Sequence, residues 1–145
     1  MTAKEFLCQA HELEIKIQCL KAEVEEYKDL ASSISGSNFD REVVDRTRNT
    51  DAPYVRWVLK VCEKEEEIKR METRLADVKG NILLAIDKLD NSTYRMVLLY
   101  RYIRWMTWDE ISTKMYASSA TVRRNHDKAL ELLALSEKLS SREQR

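Results

Sequence analysis

The sequence has little of the two residues that most often interrupt helices. It contains two glycines and one proline among 145 residues, while Leu, Glu, Lys, Arg and Ala are abundant. This composition favours helix throughout. A chain of this length can bury a core as one domain or two small ones. We therefore expect an all-α fold and no continuous enzyme scaffold.

Cysteine and histidine are too few and too scattered for a metal site. Cys8, Cys19 and Cys62 lack the short spacing of zinc ligands, and His11 and His126 lie far apart in sequence. The sequence also lacks a nucleophile elbow, a Gly-rich phosphate loop and paired catalytic carboxylates. We expect reduced thiols, no metal, no cofactor and no enzymatic activity.

Long apolar runs are missing as well. None approaches the length of about 20 residues that a membrane span needs. The first residues, MTAKEF, lack the apolar core of a signal peptide. We expect a cytoplasmic protein without a membrane partner.

The formal net charge is zero, but the charge is unevenly distributed. Residues 1–30 contain four lysines and seven acidic residues, whereas residues 91–130 contain seven Lys and Arg and three acidic residues. Duplex phosphates are bound by basic residues presented together. The asymmetry therefore indicates a basic region in the carboxy-terminal half.

Two stretches, residues 4–31 and about 54–89, have apolar residues at the three- and four-residue steps of a long amphipathic helix. Gly80 either bends or divides the second helix. Neither stripe buries its apolar face alone, so the helices form an antiparallel hairpin or pair between subunits. The stripes are Phe6, Ala10, Leu13, Ile17, Leu20, Val24, Tyr27 and Ala31, then Tyr54, Trp57, Val61, Lys64, Ile68, Met71, Leu75, Val78, Ile82, Ala85 and Leu89.

Between these stripes, residues 32–53 lose the period and concentrate Ser, Asn, Asp and the single proline, which indicates a linker. Residues 1–89 are thus predicted to be a helical hairpin for dimerisation or partner docking. Residues 90–137 are predicted to form a second domain, and 138–145 a polar tail.

Capping residues mark the helices of this second domain. Ser92 is expected to cap a helix over about residues 93–104. Thr107 and Glu110 have capping-box spacing and predict a helix that ends near Met115. Ser118 is expected to cap the next helix. Two capped helices separated by three residues predict a helix-turn-helix.

Such an arrangement suits duplex DNA, since its second helix enters the major groove. Arg123 and Arg124 lie one turn inside that helix, where an arginine can form two hydrogen bonds to guanine. In the alternative interpretation they form a solvated helix face. Arg104, Lys114 and Lys128 suit phosphates, as does the Thr107 cap. The predicted DNA-binding residues are Thr107, Ser118, Ser119, Ala120, Thr121, Arg123, Arg124 and Lys128.

The segments RMVLLYRYIRWMTWDEIS and TKMYASSATVRRNHDKALELL resemble region 4 of sigma-70-type factors. Together with the hairpin, the pairing of RYI with TWDEIS, and His126 before Ala129, they are similar to phage late-gene regulators of the RinA and ArpU type. The resemblance implies binding to promoter DNA and activation of late or packaging genes in a bacterial or phage-infected cell. Tyr116 departs from the usual turn glycine, which implies strain if the turn keeps a positive φ.

The leading hypothesis is therefore a sequence-specific DNA-binding transcription regulator, dimerised by its hairpin or docked by it on host RNA polymerase. A second hypothesis is the DNA-recognition subunit of a packaging terminase, for which rings are expected. A third is a protein-interaction module that binds polymerase without DNA. The tryptophans are interpreted as packing residues rather than as base-stacking groups. His126 is interpreted as a packed or phosphate-contacting residue rather than as a catalytic base or a metal ligand.

Overall fold

The computed structural model describes residues 1–37 and 53–143. Within those ranges every regular element is helical, which confirms the all-α prediction for the part that is described. The helices are α1 (Ala3–Ser37), α2 (Pro53–Asp87), α3 (Ser92–Leu98), a π-helical segment (Leu99–Ile103), α4 (Trp108–Met115) and α5 (Ser119–Glu143).

The two long helices extend further toward each other in sequence than the apolar stripes predicted. Helix α1 continues through Ser37, into the segment expected to be a linker. Pro53 opens α2 because the first helical position needs no amide donor and suits the fixed φ of proline. The remainder of the predicted linker, 38–52, lies outside the described residues. Gly80 does not divide α2, which is continuous across it.

The chain forms two compact units. One comprises Glu14–Arg74 and is called the hairpin unit; the other comprises Met1–Leu13 with Leu75–Arg145 and is called the α3–α5 unit. Each has its own buried residues.

In the hairpin unit, α1 and α2 run antiparallel. Lys21 pairs with Glu72 at 3.2 Å, while Lys28, later in α1, pairs with Glu65, earlier in α2, at 3.5 Å. The residues of the predicted stripes in this unit are buried or half-buried, except Tyr54, which is exposed. The two stripes of this unit therefore face one another within one chain. Buried or half-buried stripe residues are Ile17, Leu20, Val24, Tyr27, Ala31, Trp57, Val61, Lys64, Ile68 and Met71.

In the α3–α5 unit, consecutive residues of α3 enter two different apolar clusters. Leu98 belongs to the larger cluster and Val97 to the smaller one. The short helix α3 thus connects the two parts of this core. The larger cluster contains Ala3, Leu7, Ala10, Ile82, Ala85, Ile86, Leu89, Leu98, Tyr102, Ala129 and Leu133; the smaller contains Val97, Ile111 and Val122.

Candidate nucleic-acid interface

Helix α3 is capped one residue earlier than the sequence predicted. The Asn91 side-chain oxygen accepts hydrogen bonds from the amides of Thr93, at 2.9 Å, and Tyr94, at 3.4 Å. The expectation that Ser92 is the cap was wrong, because Ser92 is already the first helical residue. Asn is as good a cap as Ser, so the sequence contained two adjacent candidates.

The expected single helix over residues 93–104 is also wrong in its second half. After Leu98 the chain widens into the π-helical segment, and the amide of Arg104 bonds the carbonyl of Leu99, five residues back, at 3.1 Å. A π-helical turn shifts the side chains that follow it relative to a regular helix. In this segment Tyr102 is buried. Apolar periodicity does not reveal the extra residue in such a turn.

Helix α4 begins as predicted. The Thr107 hydroxyl accepts from the Glu110 amide at 3.2 Å, and a Glu110 carboxylate oxygen accepts from the Thr107 amide at 3.1 Å. This reciprocal pair is the predicted capping box. Ile111, one residue further, is fully buried in the smaller cluster. The cap therefore sets where α4 starts, and Ile111 sets which face packs inward.

The turn after α4 keeps a left-handed residue although no glycine is present. Tyr116 has φ 52° and ψ 40°, and its amide bonds the Ser112 carbonyl. Left-handed backbone is costly for a residue with a Cβ atom. Its side chain is 97% exposed, so no burial offsets that cost. The strain expected for Tyr116 is present.

Helix α5 starts at the predicted cap. The Ser118 hydroxyl accepts from the Thr121 amide at 3.2 Å and lies 2.8 Å from the Thr121 hydroxyl. Val122, Ala129 and Leu133 face inward and are fully buried. Of the predicted DNA-binding residues, Ser119 is half-buried and the others are exposed: Thr107, Ser118, Ala120, Thr121, Arg123, Arg124 and Lys128.

Three of these exposed residues form one row along α5. Ala120, Arg124 and Lys128 follow at four-residue steps, which places them on one helix face. We call them the exposed row. The buried residues Val122 and Ala129 lie on another face of α5. Two exposed acidic residues of α5, Asp127 and Glu131, lie beside the row at helical spacing, and the Asp127 carboxylate lies 3.2 Å from His126 Nδ1.

A family profile described as "Protein of unknown function (DUF1492)" matches residues 33–134, which include α2, α3, α4 and the first half of α5. The chain belongs to the DUF1492 family. No curated protein and no solved structure matches it.

In this DUF1492 chain a buried hydrogen bond joins α5 to the π-helical segment. The Tyr102 hydroxyl lies 2.7 Å from His126 Nε2, and the two rings stack with centroids 5.6 Å apart. Burial raises the pKa of Tyr102 to about 12 and lowers the pKa of His126, although Asp127 opposes the latter shift. Both groups are then neutral at pH 7, so Tyr102 donates to Nε2 and Nδ1–H donates to Asp127. His126 is buried and packs against Tyr102, which agrees with the first of the two interpretations of this residue, a packed histidine.

The sequence did not reveal how Trp108 and Arg101 are arranged. The Arg101 guanidinium carbon lies 4.4 Å from the centroid of the Trp108 ring, and its Nη1 donates to the Met106 carbonyl at 3.0 Å. Arg123 lies 5.9 Å from the same centroid. The seven-residue spacing of Arg101 and Trp108 carries no motif that predicts this stacking.

The described residues contain no group of three or more His, Cys, Asp or Glu side chains placed to hold a metal ion. No helix among them is both long enough and apolar enough to cross a bilayer.

Proposed function

We propose that this protein is a sequence-specific regulator of transcription that binds double-stranded DNA through α4, the following turn and α5. The exposed row of α5 is the observation that carries the proposal. A helix fits the major groove of B-form DNA if one face is anchored in a core and the opposite face is free. Val122 and Ala129 provide the anchor, and the exposed row provides the free face.

The chemistry of the exposed row suits a groove. Ala120 is small enough to contact a thymine methyl group, and Arg124 presents the planar fork that pairs with guanine. Lys128 is a flexible point charge, which suits a phosphate. Base discrimination is therefore assigned to the first turns of α5, and phosphate binding to the basic residues beside them.

The finer role is proposed from the resemblance to phage late-gene regulators and sigma-70 region 4. In this proposal the target is a promoter for phage late or packaging genes, and transcription increases on binding. The hairpin unit serves as the contact for a second subunit or for host RNA polymerase.

A binding-site selection from random duplexes tests the proposal. The purified full chain is expected to enrich a defined site and to bind it about a thousandfold more tightly than random duplex, or better. Fluorescence anisotropy across a salt series then measures each affinity. Failure to bind any duplex at low salt would refute the proposal.

Two variants and one matched control separate the expected roles. Arg124→Ala should cost about 1–3 kcal/mol on the selected site and relax discrimination at one base. Lys128→Ala should weaken all duplexes alike and lower the salt slope by about one. Lys69→Ala, an exposed lysine of the hairpin unit, should bind DNA as the wild type does. Equal loss for all three would contradict an interface on α5.

A further inference from the structure

Two arginines from different helical segments converge on one tryptophan. Arg101 belongs to the π-helical segment and Arg123 to the second turn of α5. Trp108 is the first residue of α4, and neither guanidinium carbon is more than 5.9 Å from its ring centroid. We call these three residues the Arg–Trp cluster.

The indole of Trp108 is itself held in place. Its ring meets the His126 ring edge to face with centroids 4.9 Å apart, and it packs against the smaller apolar cluster. Arg101 is half-buried and anchored to the Met106 carbonyl, so its guanidinium has little freedom. Attraction between a guanidinium and an indole face is favourable within about 6 Å of the centroid.

Each guanidinium carries a positive charge within 5.9 Å of the Trp108 centroid, so an anion that lies beside the cluster is attracted to both. Glu110, two residues after Trp108 in α4, is acidic, and its carboxylate accepts from the Thr107 amide in the capping box. Guanidinium groups that are already ordered lose less freedom on binding an oxyanion than free side chains do. The cluster is thus organised to take a phosphodiester.

Arg124 differs from its neighbour Arg123. It lies in the exposed row with Ala120 and Lys128, and no aromatic ring among the described residues contacts its guanidinium. A side chain that reads a base edge must reach into the groove, whereas one that lies on an indole beside α4 is suited to the phosphate backbone. The adjacent arginines therefore have different roles, although the sequence alone assigned both to base reading.

We propose that Arg101, Trp108 and Arg123 form one binding site for a DNA backbone phosphate, with Trp108 as the positioning residue, and that Arg124 reads sequence. This inference rests on the proposed duplex binding and specifies which residues grip the backbone. It makes Trp108 part of the interface and not only of the core.

Anisotropy titrations of the full chain with its selected duplex and with random duplex test the assignment. Arg123→Ala should weaken both duplexes by about tenfold and leave their ratio unchanged. Arg101→Ala should do the same. Arg124→Ala should reduce the ratio by about tenfold or more, because only specific binding uses a base contact.

A double-mutant cycle tests the role of Trp108. Trp108→Leu should weaken both duplexes by about two- to fivefold, and this loss should shrink in an Arg123→Ala background because the two residues act together. Combined with Arg124→Ala, the losses should multiply. Circular dichroism identifies any variant that fails to fold. Arg123→Lys then serves in its place in the same titrations, because it retains the charge but weakens the stacking on Trp108.

The outcomes distinguish the two proposals. A wild-type chain that binds no duplex overturns both. A chain that binds DNA but loses specificity with Arg123→Ala, or whose Trp108 and Arg123 losses multiply fully, overturns the phosphate site alone. Unchanged binding by Arg123→Lys likewise shows that stacking is irrelevant and overturns the positioning role.

Discussion

The hairpin unit and the α3–α5 unit are both helical, yet different polar contacts order them. In the hairpin unit two of the ion pairs between helices join side chains that are about half exposed, Lys21 with Glu72 and Lys28 with Glu65. The α3–α5 unit also has an exposed ion pair, Arg95 with Asp87, but it adds a buried hydrogen bond between Tyr102 and His126. Exposed pairs contribute little, whereas a buried polar atom without a partner is costly. The buried hydrogen bond therefore restricts side-chain geometry beside the candidate interface more than an exposed ion pair does.

The largest loss of stability is expected from one of two neighbouring leucines of α5. Leu133 has no exposed surface, whereas Leu132 is 43% exposed. Leu133→Ala should lower the free energy of unfolding by about 2–5 kcal/mol, because it removes packing and leaves a cavity in the larger cluster. Leu132→Ala should change it by less than about 0.5 kcal/mol. Urea denaturation measures both, and equal losses would contradict the burial of this face.

The next largest loss of stability is expected when the buried hydrogen bond between Tyr102 and His126 is removed. Tyr102→Phe keeps the ring but leaves His126 Nε2 without its donor, so stability should fall by about 1–3 kcal/mol. Tyr116→Phe is the control, since that hydroxyl lies on a fully solvated side chain. If both variants denature at the same urea concentration as the wild type, the hydrogen bond does not order this unit.

Acid should weaken the α3–α5 unit through His126. Burial lowers the pKa of His126 from its ordinary value of 6.5, so the unfolded chain binds a proton more readily than the folded one. The free energy of unfolding is therefore not reduced by His126 above pH 6.5. It decreases as the pH falls from 6.5 through the folded pKa of His126. Thermal melts from pH 8 to 5 should show this loss, and His126→Gln should flatten the curve. An equally steep acid loss in His126→Gln would assign it to other groups.

Because the backbone at Tyr116 is strained, a substitution there is expected to raise the stability rather than lower it. Tyr116→Gly should raise stability by about 0.5–1 kcal/mol, since glycine adopts the left-handed region without the steric penalty that outweighs its entropy. Tyr116→Ala retains the Cβ atom and should bring no gain. A gain of equal size in both variants would point to the lost tyrosine ring rather than to the backbone.

The smallest effect is expected in the hairpin unit. Lys28→Gln removes the ion pair with Glu65, in which both side chains are about half exposed. The free energy of unfolding should fall by less than about 0.5 kcal/mol and should show little salt dependence. A loss as large as that of Tyr102→Phe would remove the contrast between the two units.

The amino-acid pattern determined on its own the features that depend on neighbours along the chain. The apolar stripes followed from three- and four-residue steps, and the Thr107 and Ser118 caps from spacings within one turn. Such features are local, so the sequence displays them directly. Even there, the adjacent Asn91 and Ser92 could not be told apart as caps by residue type.

Tertiary structure alone decided the contacts between distant residues. Tyr102 and His126 are 24 positions apart, and their hydrogen bond joins the π-helical segment to α5. The approach of Arg101 and Arg123 to Trp108 likewise requires three helical segments to pack first. The physical reason is that side-chain contacts across a core follow from packing, which periodicity and local spacing do not encode.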